Sequence, residues 1–252
     1  MTKKEILNEE SNKSIDFFSN HLEQLRKQRI SISSLIEKLS LESKKVNLTN
    51  FENLNVFLKL SSLVTISHLD LIVAIKQMNI VESAWEKIFF IKNIYLTIHE
   101  TLITYKSYQK FLFDFSVSRS PELRNELNLV KNHLKDFRKK YDESEINEIR
   151  NKVSGHICED FDLYYDTIVK FDGEHSTQMC IDFLKVIQSF QNLSNSFLQY
   201  QDSELKRENE EFDKMFKMFV KIGEELKTGK VKTETLDSFH DLLKMREEFK
   251  KD

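Results

Sequence analysis

The chain has 252 residues, of which 40% are hydrophobic and 31% charged, so it can bury a substantial core in one large domain or two small ones. One proline and four glycines are too few for the turns of an all-β fold or the glycine-rich loops of an α/β fold, and the composition therefore predicts an all-α, multi-helix bundle. The formal net charge of −3 excludes the global basic field that is typical of many nucleic-acid-binding proteins.

The N-terminus and the cysteines bear on localisation. Met1 leads into polar residues, without the apolar stretch of a signal peptide. Cys158 and Cys180 are the two cysteines, and they form neither a CxxC pair nor a dense disulfide framework, which argues against a zinc module and fits a reducing compartment. We therefore expect a cytoplasmic protein.

Amphipathic helices are predicted for the N-terminal segment, residues 1–48, because apolar side chains recur at helical spacing between residues 15 and 39. Thr49 and Glu52 have the spacing of a capping box, with Thr49 as N-cap and Glu52 three positions later. A second helix should therefore start at Thr49 and run towards Asn79.

This second helix is expected to be central, because its apolar residues cover much of its circumference. The serine pair at 61 and 62 suggests a break. Its most apolar part, residues 58–75, predicts a buried helix and not a membrane span, since polar and charged residues interrupt it. The interrupting residues are Lys59, Ser61, Ser62, His68 and Asp70.

Three further helices are predicted in the middle of the chain. Residues 81–115 carry the strongest signal, with apolar side chains at spacings of three and four. Ser120 is a natural N-cap and Pro121 suits the first helical position, so the next helix should run from there to about residue 140. Asp142 offers another helix start.

A cluster of cations lies near the end of the helix that begins at Pro121. Such a run is typical of a solvated helix face, and a local anion-binding patch is the alternative. The cluster comprises Lys131, Lys135, Arg138, Lys139 and Lys140.

The C-terminal part is predicted to be helical throughout. A long helix begins near Ser176, and its apolar stripe lapses between residues 202 and 211, where charged residues crowd together. The lapse marks either a solvated bridging helix or a boundary. We therefore predict a helical core over residues 49–202 and a C-terminal helical extension over residues 203–252, which could also pack on the core as one domain.

The segment from Arg150 to His156 is the clearest candidate for chemistry. It combines a permanent cation, the amide of Asn151 and a titratable imidazole within seven residues. The Arg-to-His spacing alone carries no weight, since about 0.7 such pairs are expected by chance. On an unbroken α-helix these two side chains lie about 120° apart. A kink at Ser154-Gly155, the long reach of the Arg150 side chain, or a second protomer would have to bring them together.

Arg150, Asn151 and His156, placed in a late helix of an all-α chain, resemble the motif of the HEPN superfamily, which is helical. The resemblance covers roughly residues 50–200. It implies a metal-independent endoribonuclease, of the kind that often serves as a toxin or antiviral defence effector. It further implies RNA as the substrate, no cofactor or metal, and a homodimer whose two Arg-His pairs form one composite site. One HEPN toxin group has a Tyr two residues after the His, where this chain has Cys158.

The catalytic roles that the resemblance implies agree with the chemistry of the three side chains. The RNA 2′-hydroxyl would attack its neighbouring phosphate, which explains a preference for RNA over DNA. His156 would take up or supply the proton, because imidazole titrates near neutral pH. Arg150 would neutralise charge on the phosphoryl oxygens, and Asn151 would orient one of these groups.

The competing hypothesis is a non-catalytic, all-α module that binds protein or RNA. The near-neutral charge and the long amphipathic helices favour it. An inhibitory or regulatory protein partner is compatible with either hypothesis.

His99 and Glu100 form half of a zinc HExxH signature, but Ile103 occupies the position of the second ligand. A hydrogen-bonded core histidine is therefore the expected role of His99. Glu100 or His99 would join the Arg150 pocket only if the fold brings them there.

Overall fold

A computed structural model describes residues 3–42, 49–154, 160–228 and 232–249. Over these ranges all regular structure is helical and no strand occurs, which confirms the predicted all-α, multi-helix bundle. A π-helical turn, Arg150–Ser154, follows the fifth helix. The α-helices are α1 (Lys3–Glu42), α2 (Thr49–Ile80), α3 (Ala84–Arg119), α4 (Pro121–Lys140), α5 (Glu143–Ile149), α6 (Phe161–Ile168), α7 (Gly173–Lys227) and α8 (Thr233–Phe249).

The helix starts predicted at Pro121 and Asp142 are confirmed, whereas the helix expected from residue 81 begins at Ala84. Helix α2 begins at Thr49, and the capping-box roles of Thr49 and Glu52 stay predictions. Pro121 is the first residue of α4, and the Ser120 hydroxyl accepts a hydrogen bond from the Glu122 backbone N–H. The Asp142 carboxylate caps α5 by accepting from the Ser144 backbone N–H at 2.8 Å. Short polar side chains satisfy the first free N–H groups of a helix, so these residues fix where each helix begins.

The expected break in α2 at the serine pair 61–62 is wrong. The Ser62 hydroxyl donates to the Leu58 carbonyl at 2.8 Å, and the Ser67 hydroxyl donates to the Leu63 carbonyl at 2.9 Å. A mid-helix serine that bonds back to its own helix needs no other partner, so the helix continues. The long helix expected from Ser176 likewise begins earlier, at Gly173, because the Asp172 carboxylate caps it.

Helix α2 is central, as expected. By length and composition alone it could cross a membrane, a test that core helices of soluble proteins also pass. Its buried side chains lie between Phe57 and Ile75, and it packs against both α1 and α3. This is the environment of a core helix.

Aromatic side chains join the helices of the core. The Phe57 and Phe197 rings stack, the Tyr105 ring meets the Phe190 ring edge to face at 4.6 Å, and the Phe137 ring meets the Phe183 ring at 5.0 Å. These contacts place the first half of α7 against α2, α3 and α4. The phenylalanines at helical spacing in the first half of α7 therefore belong to the core.

Contacts along the chain divide it into two compact units, Met1–Phe197 and Leu198–Asp252. Within the second unit, the Phe219 ring contacts the Phe239 ring at 4.6 Å. The Glu225 carboxylate accepts from the Lys232 backbone N–H at 2.9 Å and from the Thr235 hydroxyl at 3.0 Å. The domain bounds at 48/49 and 202/203 stay predictions.

His68 on α2 is a half-buried titratable group at the α1–α2 contact. Its Nε2 lies 3.0 Å from the Ser14 hydroxyl, and its ring lies 4.0 Å from the Phe18 ring. Burial lowers the pKa of His68 to about 4 from its ordinary value of 6.5. Between these two pH values the unfolded chain binds a proton that the folded chain does not, so the stability that is present above pH 6.5 falls as pH drops towards 4.

We expect the free energy of unfolding of the wild type to fall about 1–2 kcal/mol more than that of His68→Gln between pH 7 and pH 4.5, after allowance for partial solvent screening. Urea denaturation of both proteins at the two pH values measures this difference. Asp70, whose pKa burial raises, is present in both proteins and cancels. Equal pH dependence in the two proteins would contradict the assignment to His68.

Candidate functional site

Arg150 lies where the α-helical geometry of α5 ends. The residues from Arg150 to Ser154 form a π-helical turn, whose hydrogen bonds span five residues instead of four. The chain is therefore not an unbroken α-helix through the motif, and the separation of 120° that such a helix would give does not apply. Single π-helical turns occur frequently at functional sites. His156, Gly155 and Cys158 lie outside the described residues.

Glu100 of α3 holds the Arg150 side chain. The guanidinium Nη2 and Nε donate to the same carboxylate oxygen, Oε1, at 3.0 and 3.2 Å. The Arg150 side chain is 28% exposed and the Glu100 side chain 49% exposed, so solvent reaches both groups. The pair fixes the direction of the guanidinium relative to α3, although 50 residues separate the two partners.

Asn151 extends this network along the π-helical turn. Its Oδ1 accepts from Arg150 Nη1 at 3.1 Å, and its Nδ2 donates to Asn147 Oδ1 at 3.3 Å. A guanidinium carries five N–H donors, and the bonds to Glu100 and Asn151 use three of them. Two donors, one on each Nη, have no partner among the described residues and can bind an anion.

His99 lies beside this network. It is 9% exposed, which confirms the expected burial, and the hydrogen bond expected of it stays a prediction. Burial lowers its pKa, and the nearby Arg150 cation lowers it further, while Glu100 and Glu143 oppose the shift. The imidazole is therefore neutral at neutral pH, and it can donate or accept a hydrogen bond without adding positive charge to the site.

A groove of about 470 Å³ adjoins the Arg150 network. His99 and Lys106 from α3 line it together with Arg138 at the end of α4 and Asn147 of α5. Asn147 thus connects the groove wall to Asn151. A ligand in this groove therefore lies next to Asn147, whose side chain bonds Asn151.

The structure brings two of the three predicted catalytic residues, Arg150 and Asn151, into contact. The position of the third, His156, is outside the described residues. Sequence reasoning raised Glu100 only as a residue that the fold would have to bring near, and it missed Asn147. The residue types gave no signal for either, because a Glu and an Asn on helix surfaces are ordinary.

The chain was compared with protein-family models, curated proteins and solved structures, and none of the three comparisons gave a match.

Proposed function

We propose that the protein is a metal-independent endoribonuclease that acts as a homodimer in the cytoplasm, with a HEPN-like site formed by Arg150, Asn151 and His156. The observation that supports the proposal best is the state of Arg150. Glu100 and Asn151 orient its guanidinium, and two N–H donors remain for a phosphate. A cation held in this way can stabilise charge that develops on phosphoryl oxygens without reorganising during the reaction.

Each group has a defined role in the proposed reaction. The RNA 2′-hydroxyl attacks the adjacent phosphorus, and the bond to the 5′-oxygen of the next nucleotide breaks. His156 transfers protons between these two oxygens. Arg150 binds the equatorial phosphoryl oxygens, Asn151 orients Arg150, and Glu100 is a positioning residue that acts through Arg150.

The homodimer supplies a second copy of each group. A composite site contains Arg150 and His156 from each protomer. Its two Arg150 guanidinium groups can both stabilise the negative charge that the phosphate gains during the reaction. The role of toxin or defence effector, together with an inhibitory or regulatory protein partner, belongs to the same proposal, because an unregulated ribonuclease damages its own cell.

The proposal is tested by incubating the purified chain with a single-stranded RNA and with the all-deoxy strand of the same sequence, both in excess EDTA. We expect cleavage of the RNA, no cleavage of the DNA, and the same rate with and without EDTA. Loss of cleavage in EDTA, or cleavage of both strands at equal rates, would contradict the proposed reaction.

The second candidate is a non-catalytic RNA-binding module, and the Arg150–Glu100 pair favours it in one respect. A guanidinium that is already neutralised by a carboxylate attracts a phosphate less strongly than a free one. RNA binding without cleavage of any RNA tested, in EDTA or in Mg²⁺, would select this candidate over the ribonuclease.

A further inference from the structure

A second groove, of about 640 Å³, lies between α3 and α4. Its base is formed by the buried Tyr105 and Leu134. Five cations line it, Lys110 from α3 and the others from α4, and no carboxylate is among its lining residues. The α4 cations are Lys131, Lys135, Arg138 and Lys139.

Three of the five cations in this groove have no carboxylate partner among the described residues. Arg138 and Lys139 each form an ion pair with a nearby carboxylate, whereas Lys110, Lys131 and Lys135 form no ion pair with any residue that the structure describes. The positive charge of these three lysines is therefore not offset by a direct ion pair, and it attracts an anionic ligand in the groove.

An aromatic ring lies among these cations. Phe113 of α3 is 51% exposed, and the Lys131 ammonium lies 4.9 Å from the centre of its ring. A large apolar side chain that stays half exposed at the edge of a basic groove provides a stacking platform for a planar ligand. A ligand that stacks on this ring and carries negative charge beside the ring satisfies both features at once.

The basic groove connects with the groove next to Arg150, because Arg138 and Gln109 line both. Phe113 follows Glu100 by about 20 Å along α3, at 1.5 Å per residue. The two grooves therefore form a path along α3 from the stacking ring to the Arg150 network. A linear polyanion with aromatic groups along its length matches this path.

We infer that the groove between α3 and α4 binds a single strand of RNA, with its phosphates on Lys110, Lys131 and Lys135 and one base stacked on Phe113. The choice of RNA rests on the proposed function, since the strand that leaves this groove would reach Arg150. The groove itself contacts phosphates and the flat faces of bases, and single-stranded DNA offers the same groups. Duplex RNA fits less well, because its bases are already stacked and cannot reach Phe113.

The inference is tested by fluorescence anisotropy with a labelled 12-nucleotide single-stranded RNA, its DNA equivalent and the same RNA as a duplex. The protein carries His156→Ala throughout, so that cleavage does not affect the measurement. The three phosphate contacts, on Lys110, Lys131 and Lys135, give a slope of log affinity against log salt of about −2. We expect the slope to fall by about 1.4 in Lys131→Gln/Lys135→Gln, and the affinity to fall about 5- to 150-fold in Phe113→Ala.

Two matched controls lie on α3, away from the groove. Lys87→Gln removes an exposed lysine, and Phe89→Ala removes a ring that is 56% exposed. We expect both controls to bind RNA as the parent protein does. Equal losses in the controls and the groove variants, tighter binding of the duplex, or no binding of any strand would overturn the inference.

The two proposals can fail separately. If the groove variants lose RNA binding but the wild type never cleaves RNA, the ribonuclease proposal is refuted and the proposed RNA-binding groove is supported. If the wild type cleaves RNA but Phe113→Ala and Lys131→Gln/Lys135→Gln bind RNA as tightly as the parent protein, the proposed RNA-binding groove is refuted and the ribonuclease proposal is supported.

Discussion

His156→Ala is expected to lower kcat for RNA cleavage by about 10²- to 10⁴-fold, because it removes the group that transfers protons to and from the reacting oxygens. Affinity for the uncleaved RNA should stay within about twofold, since the cationic side chains that bind phosphates are unchanged. Single-turnover cleavage and anisotropy on the same RNA measure the two quantities. His240→Ala, an exposed histidine on α8, is the matched control and should retain full activity.

The variant Arg150→Lys distinguishes the contribution of the positive charge at this position from that of the planar guanidinium. Lysine keeps the positive charge but has no planar fork, so it cannot bond Glu100 and a phosphate in the same way. For Arg150→Ala, the loss of a donor to the phosphoryl oxygens predicts a decrease in kcat of about 10²- to 10³-fold. For Arg150→Lys we expect a smaller decrease in kcat, of about 10- to 100-fold. The pair with Glu100 is partly exposed, so thermal stability should change by less than about 1 kcal/mol.

One outcome would reassign the reaction within the site. His99 is buried beside Arg150 and is neutral, so it is a second imidazole that could transfer protons. An active His156→Ala protein together with an inactive but folded His99→Gln protein would move the role to His99. That result would contradict the proposed motif while leaving a ribonuclease at the same place.

Phe183→Ala is expected to lower the free energy of unfolding by about 3–5 kcal/mol, the largest effect on stability that we predict. Phe183 is 0% exposed in α7, and its ring meets the Phe137 ring of α4 at 5.0 Å. Removing the ring leaves a cavity between these helices that neither helix can close without moving other core contacts. Whole domains are stable by only about 5–15 kcal/mol, so the variant should unfold at a much lower urea concentration.

Phe212→Ala is the control for this prediction. It lies on the same helix but in the second unit, and its side chain is 63% exposed. We expect a change of less than about 0.5 kcal/mol. Urea unfolding followed by far-ultraviolet circular dichroism measures both variants. Similar losses at the two positions would show that burial along α7 does not follow the described packing.

Much of the fold could be predicted from the sequence because its signals are local. The scarcity of glycine and proline fixed the class, and Ser120, Pro121 and Asp142 fixed helix starts through caps that depend on neighbouring residues alone. The serine pair in α2 misled the prediction, since the Ser62 hydroxyl bonds back to its own helix and the pattern of residues does not reveal that bond.

The site could be predicted only in part, because its key contact is not local. The partners Arg150 and Glu100 meet through the packing of α3 against the π-helical turn, and no spacing in the sequence encodes that register. The turn itself changes the angle between successive side chains, so arguments from an ideal α-helix fail there. The basic groove could be predicted only in part. The sequence indicated the cluster of cations on α4, but it gave no sign that Lys110 and Phe113 of α3 lie beside them, because that depends on how α3 and α4 pack together.

The chemical nature of the RNA ends tests the central claim most directly. If Arg150 and His156 promote attack by the 2′-hydroxyl, the wild type in EDTA leaves a 2′,3′-cyclic phosphate and a 5′-hydroxyl, and a single 2′-deoxy substitution at the cleaved position blocks the cut. Mass spectrometry of the products identifies these ends. A 3′-hydroxyl with a 5′-phosphate, or undiminished cleavage at the 2′-deoxy position, would show that water is the nucleophile and would contradict the proposed mechanism.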